Sequence, residues 1–184
     1  MLRLFIAIDI PEDIRALICG MGGAIPGARA VPAEQLHLTL KFLGDTDPGF
    51  LGDIGEALGQ IDCPPLTFCL RRVGHFPPRG TPRVLWAGID PTIEVVRLRN
   101  MVEKSLAAIG IARDRRKFAA HVTLARLANS PRKRVGQFLA GNGLFSTPPF
   151  TVDAFHLYSS SLSAKGAKHT MLASFALAAA KNTG

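Results

Sequence analysis

The sequence predicts an α+β fold built on antiparallel strands, and three observations lead there. Short apolar runs rich in β-branched residues alternate with amphipathic helical stretches along all 184 residues. Two pairs of such runs, at 66–90 and 150–177, are joined by connections too short for a crossover helix, so their strands must be antiparallel neighbours. The resulting order, β-α-β-α-β-β-α-β-α-β-β, is not that of a purely parallel sheet. At this length one compact unit with a full core is expected, spanning residues 1–184.

Each element has its own warrant. "LRLFIAIDI" opens the chain as a buried strand; Asp9 and Pro11 interrupt the apolar run and no small-residue cleavage site follows, so it is not a signal peptide. "PEDIRALICGMG" is a helix with Pro11 at its start and acids in its first turn, where the helix dipole favours them. "GMGGAIPG", at 20–27, follows that helix rather than a strand and lacks phosphate-loop spacing, which makes it a helix-ending loop. "LHLTLKFL" is the next strand. In "DPGFLGDIGEALGQI" Asp47 caps a helix whose Phe50, Leu51, Ile54, Leu58 and Ile61 recur at helical spacing.

"LTFCLRRV" is a strand. A Pro- and Gly-rich loop holding His75, Arg79 and Arg83 leads to its partner, "VLWAGID". "PTIEVVRLRNMVEKSLAAIG" carries an apolar stripe through Ile93, Val96, Leu98, Met101, Val102 and Leu106 and is the clearest helix. The strand "HVTLARL", a short helix from Pro131 to Leu139, the strands "FTVDAFHLYSS" and "TMLASFAL", and an Ala-rich tail complete the chain.

With 47% hydrophobic and 20% charged residues, the composition excludes a disordered polar chain, and no apolar run is long enough to span a bilayer. Cys19, Cys63 and Cys69 are odd in number and form no CxxC pair, which argues against a disulfide framework or cysteine zinc site and fits a reducing cytoplasm. The net charge is +8. Eight basic residues against the single acid Asp114 lie between Arg113 and Arg134, bracketing "HVTLAR". Such a band is either a solvated surface or an attractor for phosphate.

"HLTL" at 37–40 and "HVTL" at 121–124 are the functional signal. In an extended strand, residues i and i+2 share a face, so His37 and Thr39 oppose Leu36, Leu38, Leu40 and Phe42, while His121 and Thr123 oppose Val122 and Leu124. One such motif would most simply be a half-buried strand whose polar groups bond neighbouring carbonyls. Two copies 84 residues apart call for a shared chemistry. Displacement at a phosphorus ester needs one proton removed from water and another delivered to the leaving oxygen, tasks that two imidazoles perform near neutral pH. Threonine hydroxyls can donate to the non-bridging phosphoryl oxygens. This chemistry requires no metal or cofactor, and the acids are scattered at helix starts rather than clustered.

These motifs, together with "RLFIAIDIP", "VPAEQLHLTLKFLG", "PRVLWAGID" and "FTVDAFHLYSSSLSAKGAKHTMLASFAL", make the chain resemble the two-histidine phosphoesterase superfamily over nearly its whole length, and within it the RNA 2′,3′-cyclic phosphodiesterases, historically called 2′-5′ RNA ligases. The resemblance implies two pseudo-symmetric lobes whose antiparallel sheets line a central cleft, with helices outside. It implies His37 and His121 as catalytic residues, Thr39, Thr123 and Arg126 as phosphate ligands, RNA with 2′,3′-cyclic phosphate ends as substrate, 2′-phosphate products and reversible 2′-5′ joining. It implies neither a membrane nor an obligate protein partner. Many relatives have proline where this chain has Ala120 and an aromatic where it has His169. Strict alternation points Arg126 away from His121 and Thr123, so the arginine can help only if the strand ends, twists or bulges after Leu124.

Phe5 and Phe42 could each offer a base a stacking surface, or simply join the core. Alternation sets Lys41 on the His37 face, where it could add positive potential. His156 lies on a late strand with no evident partner. Other functional readings are a phosphodiesterase for a small cyclic-phosphate nucleotide, a module that binds RNA ends without turnover, and a purely structural protein.

Overall fold

The computed structural model describes residues 1–163 and 166–178; the Ala-rich tail past Ala178 lies outside the described residues. The strands among the described residues are β1 (Leu2–Asp9), β2 (Ala28–Ala30), β3 (His37–Thr46), β4 (Leu66–Phe76), β5 (Val84–Asp90), β6 (His121–Leu127), β7 (Phe150–Val152), β8 (Ala154–Ser163) and β9 (Gly166–Ala176). Among the described residues the α-helices are α1 (Glu12–Ile18), α2 (Leu51–Gly59), α3 (Ile93–Ala108) and α4 (Arg132–Gly141).

The strands form one sheet in the order β7-β4-β5-β6-β3-β1-β8-β9, with β2 added to β6, and every pairing is antiparallel. The sheet curls into a half-barrel. Its two halves mirror each other about the β3/β6 seam: β3 pairs β1, which pairs β8, and β6 pairs β5, which pairs β4. The seam itself is narrow, with Leu38 opposite Val122 as its one registered pair.

The helices cover one side of this sheet. Leu4, Ile6 and Ile8 of β1 alternate into a core shared with Ile14 and Ile18 of α1, Ile54 and Leu58 of α2, and Val95, Leu98, Val102 and Leu106 of α3. Burying each such side chain stabilises by about 1.5–3 kcal/mol, so a one-residue slip that reversed the faces would forfeit most of the core. The opposite face is therefore held open for polar groups. No helix of the described residues is long and apolar enough to cross a membrane.

Several sequence expectations shift. The buried line of α3 is Val95-Leu98-Val102-Leu106, whereas Ile93 is 70% exposed at the first turn. Asp47 caps its helix as expected, its carboxylate accepting from Gly49 N at 2.9 Å, but the first turn is a 3-10 turn over Pro48–Phe50. β4 continues through His75, which sits opposite Leu85 rather than in the Pro/Gly loop. The predicted strand at 150–160 is two, broken at Asp153. β2, only three residues long, lacks a periodicity that sequence could reveal.

Candidate active site

The two His-x-Thr strands obey alternation for four residues and then break it in the same way. On β3, Thr39 lies opposite Ala7 and Lys41 opposite Ile6, so Leu40 is an extra residue. On β6, Thr123 lies opposite Trp86 and Ala125 opposite Leu85, so Leu124 is an extra residue. A bulge of this kind places two successive side chains on one face and reverses the phase beyond it. Leu40 and Lys41 are both buried, as are Leu124 and Ala125, and Phe42 and Arg126 emerge on the opposite face.

That face is one cleft of about 400 Å³, whose lining includes His37, Thr39, Phe42, His121, Thr123 and Arg126. The condition on Arg126 is met by the bulge after Leu124. The bulge after Leu40 overturns the expectation for Lys41, which points to the helix side. There Lys41, 5% exposed, donates from Nζ to Glu103 Oε2 and to the Ala112 carbonyl, each at 2.9 Å. Glu103 also pairs with Arg99 at 3.0 Å.

Both imidazoles are anchored by the carbonyl two residues earlier. His121 Nδ1 lies 2.6 Å from Ala119 O, and because a carbonyl can only accept, this nitrogen carries a proton and Nε2 is the exchangeable position of the neutral ring. His37 bonds the backbone of Gln35, and the bond raises its pKa, as an acceptor does. Burial, helped by the charges of His169 and His121, outweighs that bond and the opposing Asp9 carboxylate and brings the His37 imidazole down to about 4. Burial also lowers the His121 pKa against the pull of the Ala119 carbonyl. Neighbouring rings fix the orientations: Phe5 stacks on His37 at 5.0 Å between centroids, and Phe76 meets His121 edge-on at 5.0 Å.

The model of the LigT-like phosphoesterase family matches residues 8–86 and 89–168, which takes in both strands and most of the chain. The chain belongs to the LigT-like phosphoesterase family. Among curated relatives, the RNA 2′,3′-cyclic phosphodiesterase of Thermus thermophilus is 35% identical, over 96% of this chain and 90% of that protein. The RNA 2′,3′-cyclic phosphodiesterase of Archaeoglobus fulgidus is 37% identical, over 68% of this chain and 73% of that protein. The crystal structure of Escherichia coli LigT in apo form superposes with a TM-score of 0.78 at 30% identity, covering 96% of this chain and 98% of that one.

In this phosphoesterase the two candidate stacking rings differ. Phe5 is 3% exposed, held between His37 of β3 and Tyr158 of β8, the strands on either side of β1, with the Tyr158 ring stacked at 5.3 Å. Its ring lines the cleft but is already stacked against both neighbours, so it offers a base less open surface than Phe42 does. Phe42 is 66% exposed and open to the cleft. Tyr158 in turn donates to Asp9 at 2.7 Å, and burial followed by this bond raises the phenol's pKa. His156 approaches the same carboxylate at 3.7 Å, which supplies the partner its sequence context did not show.

His169 enters the cleft from β9, meeting His37 edge-on at 5.5 Å and Phe5 at 4.9 Å. Burial, then the Arg126 charge, lowers its pKa. The basic band contributes only Arg126 to the lining. Arg113, Arg115, Arg116 and Lys117 are exposed, and Arg116 pairs with Asp114. Among the described residues the cleft's other arginines are Arg3 on β1 and Arg29 on β2, neither of which carries a motif. Gln35 was also hidden in the sequence. Its side-chain amide donates to Ala167 O at 2.8 Å, tying the turn before β3 to β9. Among the described residues no group of three His, Cys, Asp or Glu side chains is arranged to hold a metal ion.

Proposed function

We propose that the protein hydrolyses 2′,3′-cyclic phosphate at RNA 3′ ends to give 2′-phosphate, with His37 and His121 as the acid and base pair. The observation that carries this reading is the matched pair of carbonyl-anchored imidazoles opening on one arginine-lined cleft. The names of the Thermus and Archaeoglobus relatives supply the substrate class.

In this reading the neutral imidazole takes a proton from water as its oxygen attacks phosphorus. The P–O3′ bond breaks, and the imidazolium delivers its proton to O3′. Thr39 and Thr123 donate to the non-bridging oxygens and Arg126 balances the charge that gathers there. With a 5′-hydroxyl end attacking in place of water, the same forward steps join two ends through a 2′-5′ linkage, and their reverse, attack of O3′ on that linkage, restores the cyclic phosphate and the 5′-hydroxyl.

The test is turnover of an oligoribonucleotide ending in 2′,3′-cyclic phosphate, in excess EDTA, with the position of the product phosphate determined. His37→Ala and His121→Ala should each slow it by about 10²- to 10⁴-fold. Turnover abolished by EDTA, or binding without turnover, would overturn the reading.

A further inference from the structure

Between α3 and β6 the chain runs through residues 112–120 without helix or strand. Such a segment has no ladder to hold its backbone, so its position depends on the groups that grip it from outside. Among the described residues the charged side chains that do so are one of β3 and two of α3. Lys41 donates to Ala112 O at 2.9 Å, and Glu103 accepts from Asp114 N at 3.3 Å. Further along, the Arg99 guanidinium lies over the Phe118 ring, 5.3 Å from its centroid. Phe118 and Ala120 also pack against the core.

Glu103 joins these grips to one another. Its carboxylate pairs with Lys41 at 2.9 Å and with Arg99 at 3.0 Å, and all three side chains are largely buried. A guanidinium over an aromatic face is attracted by the ring, more strongly where water is excluded. The path then leads straight to the cleft. Phe118 immediately precedes Ala119, whose carbonyl accepts from His121 Nδ1 at 2.6 Å. Ala119 itself is exposed, so its carbonyl is aimed by its neighbour in the chain rather than by packing of its own.

We propose that Arg99 and Phe118 are positioning residues for the reaction: the guanidinium, held by Glu103, clamps the Phe118 ring and so aims the Ala119 carbonyl that orients the His121 imidazole. The proposal rests on the reading of His121 as one of the acid and base pair. Through Lys41 the same carboxylate grips β3 at its bulge, so α3 is tied to both His-Thr strands.

The test reads the His121 ring directly. In the wild-type protein, NMR should show a slowly exchanging Nδ1 proton and the Nδ1–H tautomer of the neutral ring. Phe118→Leu, which stays apolar but loses the ring, and Arg99→Met should each weaken that signal. Each should also lower the His121 pKa, because the bond that is lost is one that raises it. On an oligoribonucleotide ending in 2′,3′-cyclic phosphate, each should reduce kcat and kcat/KM equally, by about 10- to 100-fold, the effect of a misplaced catalytic group. The limb of the kcat/KM profile that belongs to His121 should move to lower pH. His37, His169 and Arg126 line the same cleft and are unaltered in these variants, so a moved limb reports the clamp.

Phe118→Tyr keeps the ring and should keep the wild-type rate and resonances. Arg99→Lys keeps a charge on Glu103 without the planar guanidinium and should show a smaller loss in the same direction. Arg99→Met combined with Phe118→Leu should cost little more than either alone, because both act on one path. An unchanged Nδ1 proton and His121 pKa in Phe118→Leu would overturn the clamp whatever the rates. An altered His121 ring with wild-type kcat would overturn its part in the reaction. Absence of turnover by the wild-type protein would overturn the RNA-end reading instead, while the resonances still decide the clamp.

Discussion

Phe42 and Arg126 occupy equivalent places in the two halves of the protein, each three residues past the threonine of its motif and each turned into the cleft by a bulge at the preceding leucine. One half thus presents a ring and the other a guanidinium to the same space, an asymmetry suited to a ligand with a base at one end and a phosphate at the other.

Phe42 and Phe5 should separate binding from stability. Phe42→Ala removes the exposed ring and should raise KM for an oligoribonucleotide by about five- to hundredfold, the effect of 1–3 kcal/mol of base stacking, with the midpoint of urea unfolding unchanged. Phe5→Ala opens a cavity beneath His37 and Tyr158 and should cost about 3–5 kcal/mol in urea denaturation. A Phe42→Ala protein with wild-type KM would remove the ring from the substrate site.

The pH profile of kcat/KM reports the free enzyme, in which burial depresses both histidines. If the two histidines are the acid and base pair, kcat/KM falls as pH drops through the lower pKa, about 4 for His37, and falls again as pH rises through that of His121, below its ordinary 6.5, whichever ring takes which role. The bell should therefore peak on the acid side of pH 6.5. Bound substrate contributes negative charge that stabilises the imidazolium, so the kcat profile should lie at higher pH than that of kcat/KM. Initial rates across pH 3.5–9 at constant ionic strength, a range set to cover roughly both limbs, check the order of the two curves.

Glu103 holds Lys41 on the helix side of β3, and both are almost fully buried. Glu103→Leu leaves a buried ammonium with only the Ala112 carbonyl and should cost about 3–5 kcal/mol. Adding Lys41→Met should recover the part of that loss due to the buried ammonium, leaving the part due to Arg99, which also pairs with Glu103. Urea denaturation of the two single variants and the double variant gives the coupling directly.

Gly74 is the floor on which Trp86 rests: a β-carbon there would come within 2.2 Å of Trp86 Cζ2. Trp86 packs on Phe76, at 5.5 Å, and Phe76 on His121. Gly74→Ala should displace this stack, with about 1–3 kcal/mol of lost stability, lower kcat and a shifted emission from the chain's single tryptophan. Fluorescence and activity measured together would show whether the ring stack reaches the histidine.

Much of the site was legible because strand alternation is a local rule. The apolar partners of His37, Thr39, His121 and Thr123 mark one face for the core, which leaves the polar pair on the other. The same rule failed two residues later, at Lys41 and Phe42, where the phase reverses. Nothing in "LTLKF" announces the extra residue, since Leu40 is as good a strand former as its neighbours. At this bulge Lys41 meets Glu103 on α3, while β3 pairs with β1 on both sides of it.

From its residues alone the chain specified helices, strands, an antiparallel α+β order and two matching His-Thr faces, because propensity and periodicity act over a few neighbouring positions. Folding in three dimensions decided the rest. It closed Phe5 between His37 and Tyr158, left Phe42 open, gave Gln35 its hold on Ala167, and gathered Arg3, Arg29 and Arg126 from three separate strands around one cleft. Those outcomes depend on register between strands distant in sequence, and register is set by the packing of the whole sheet rather than by any one segment of it.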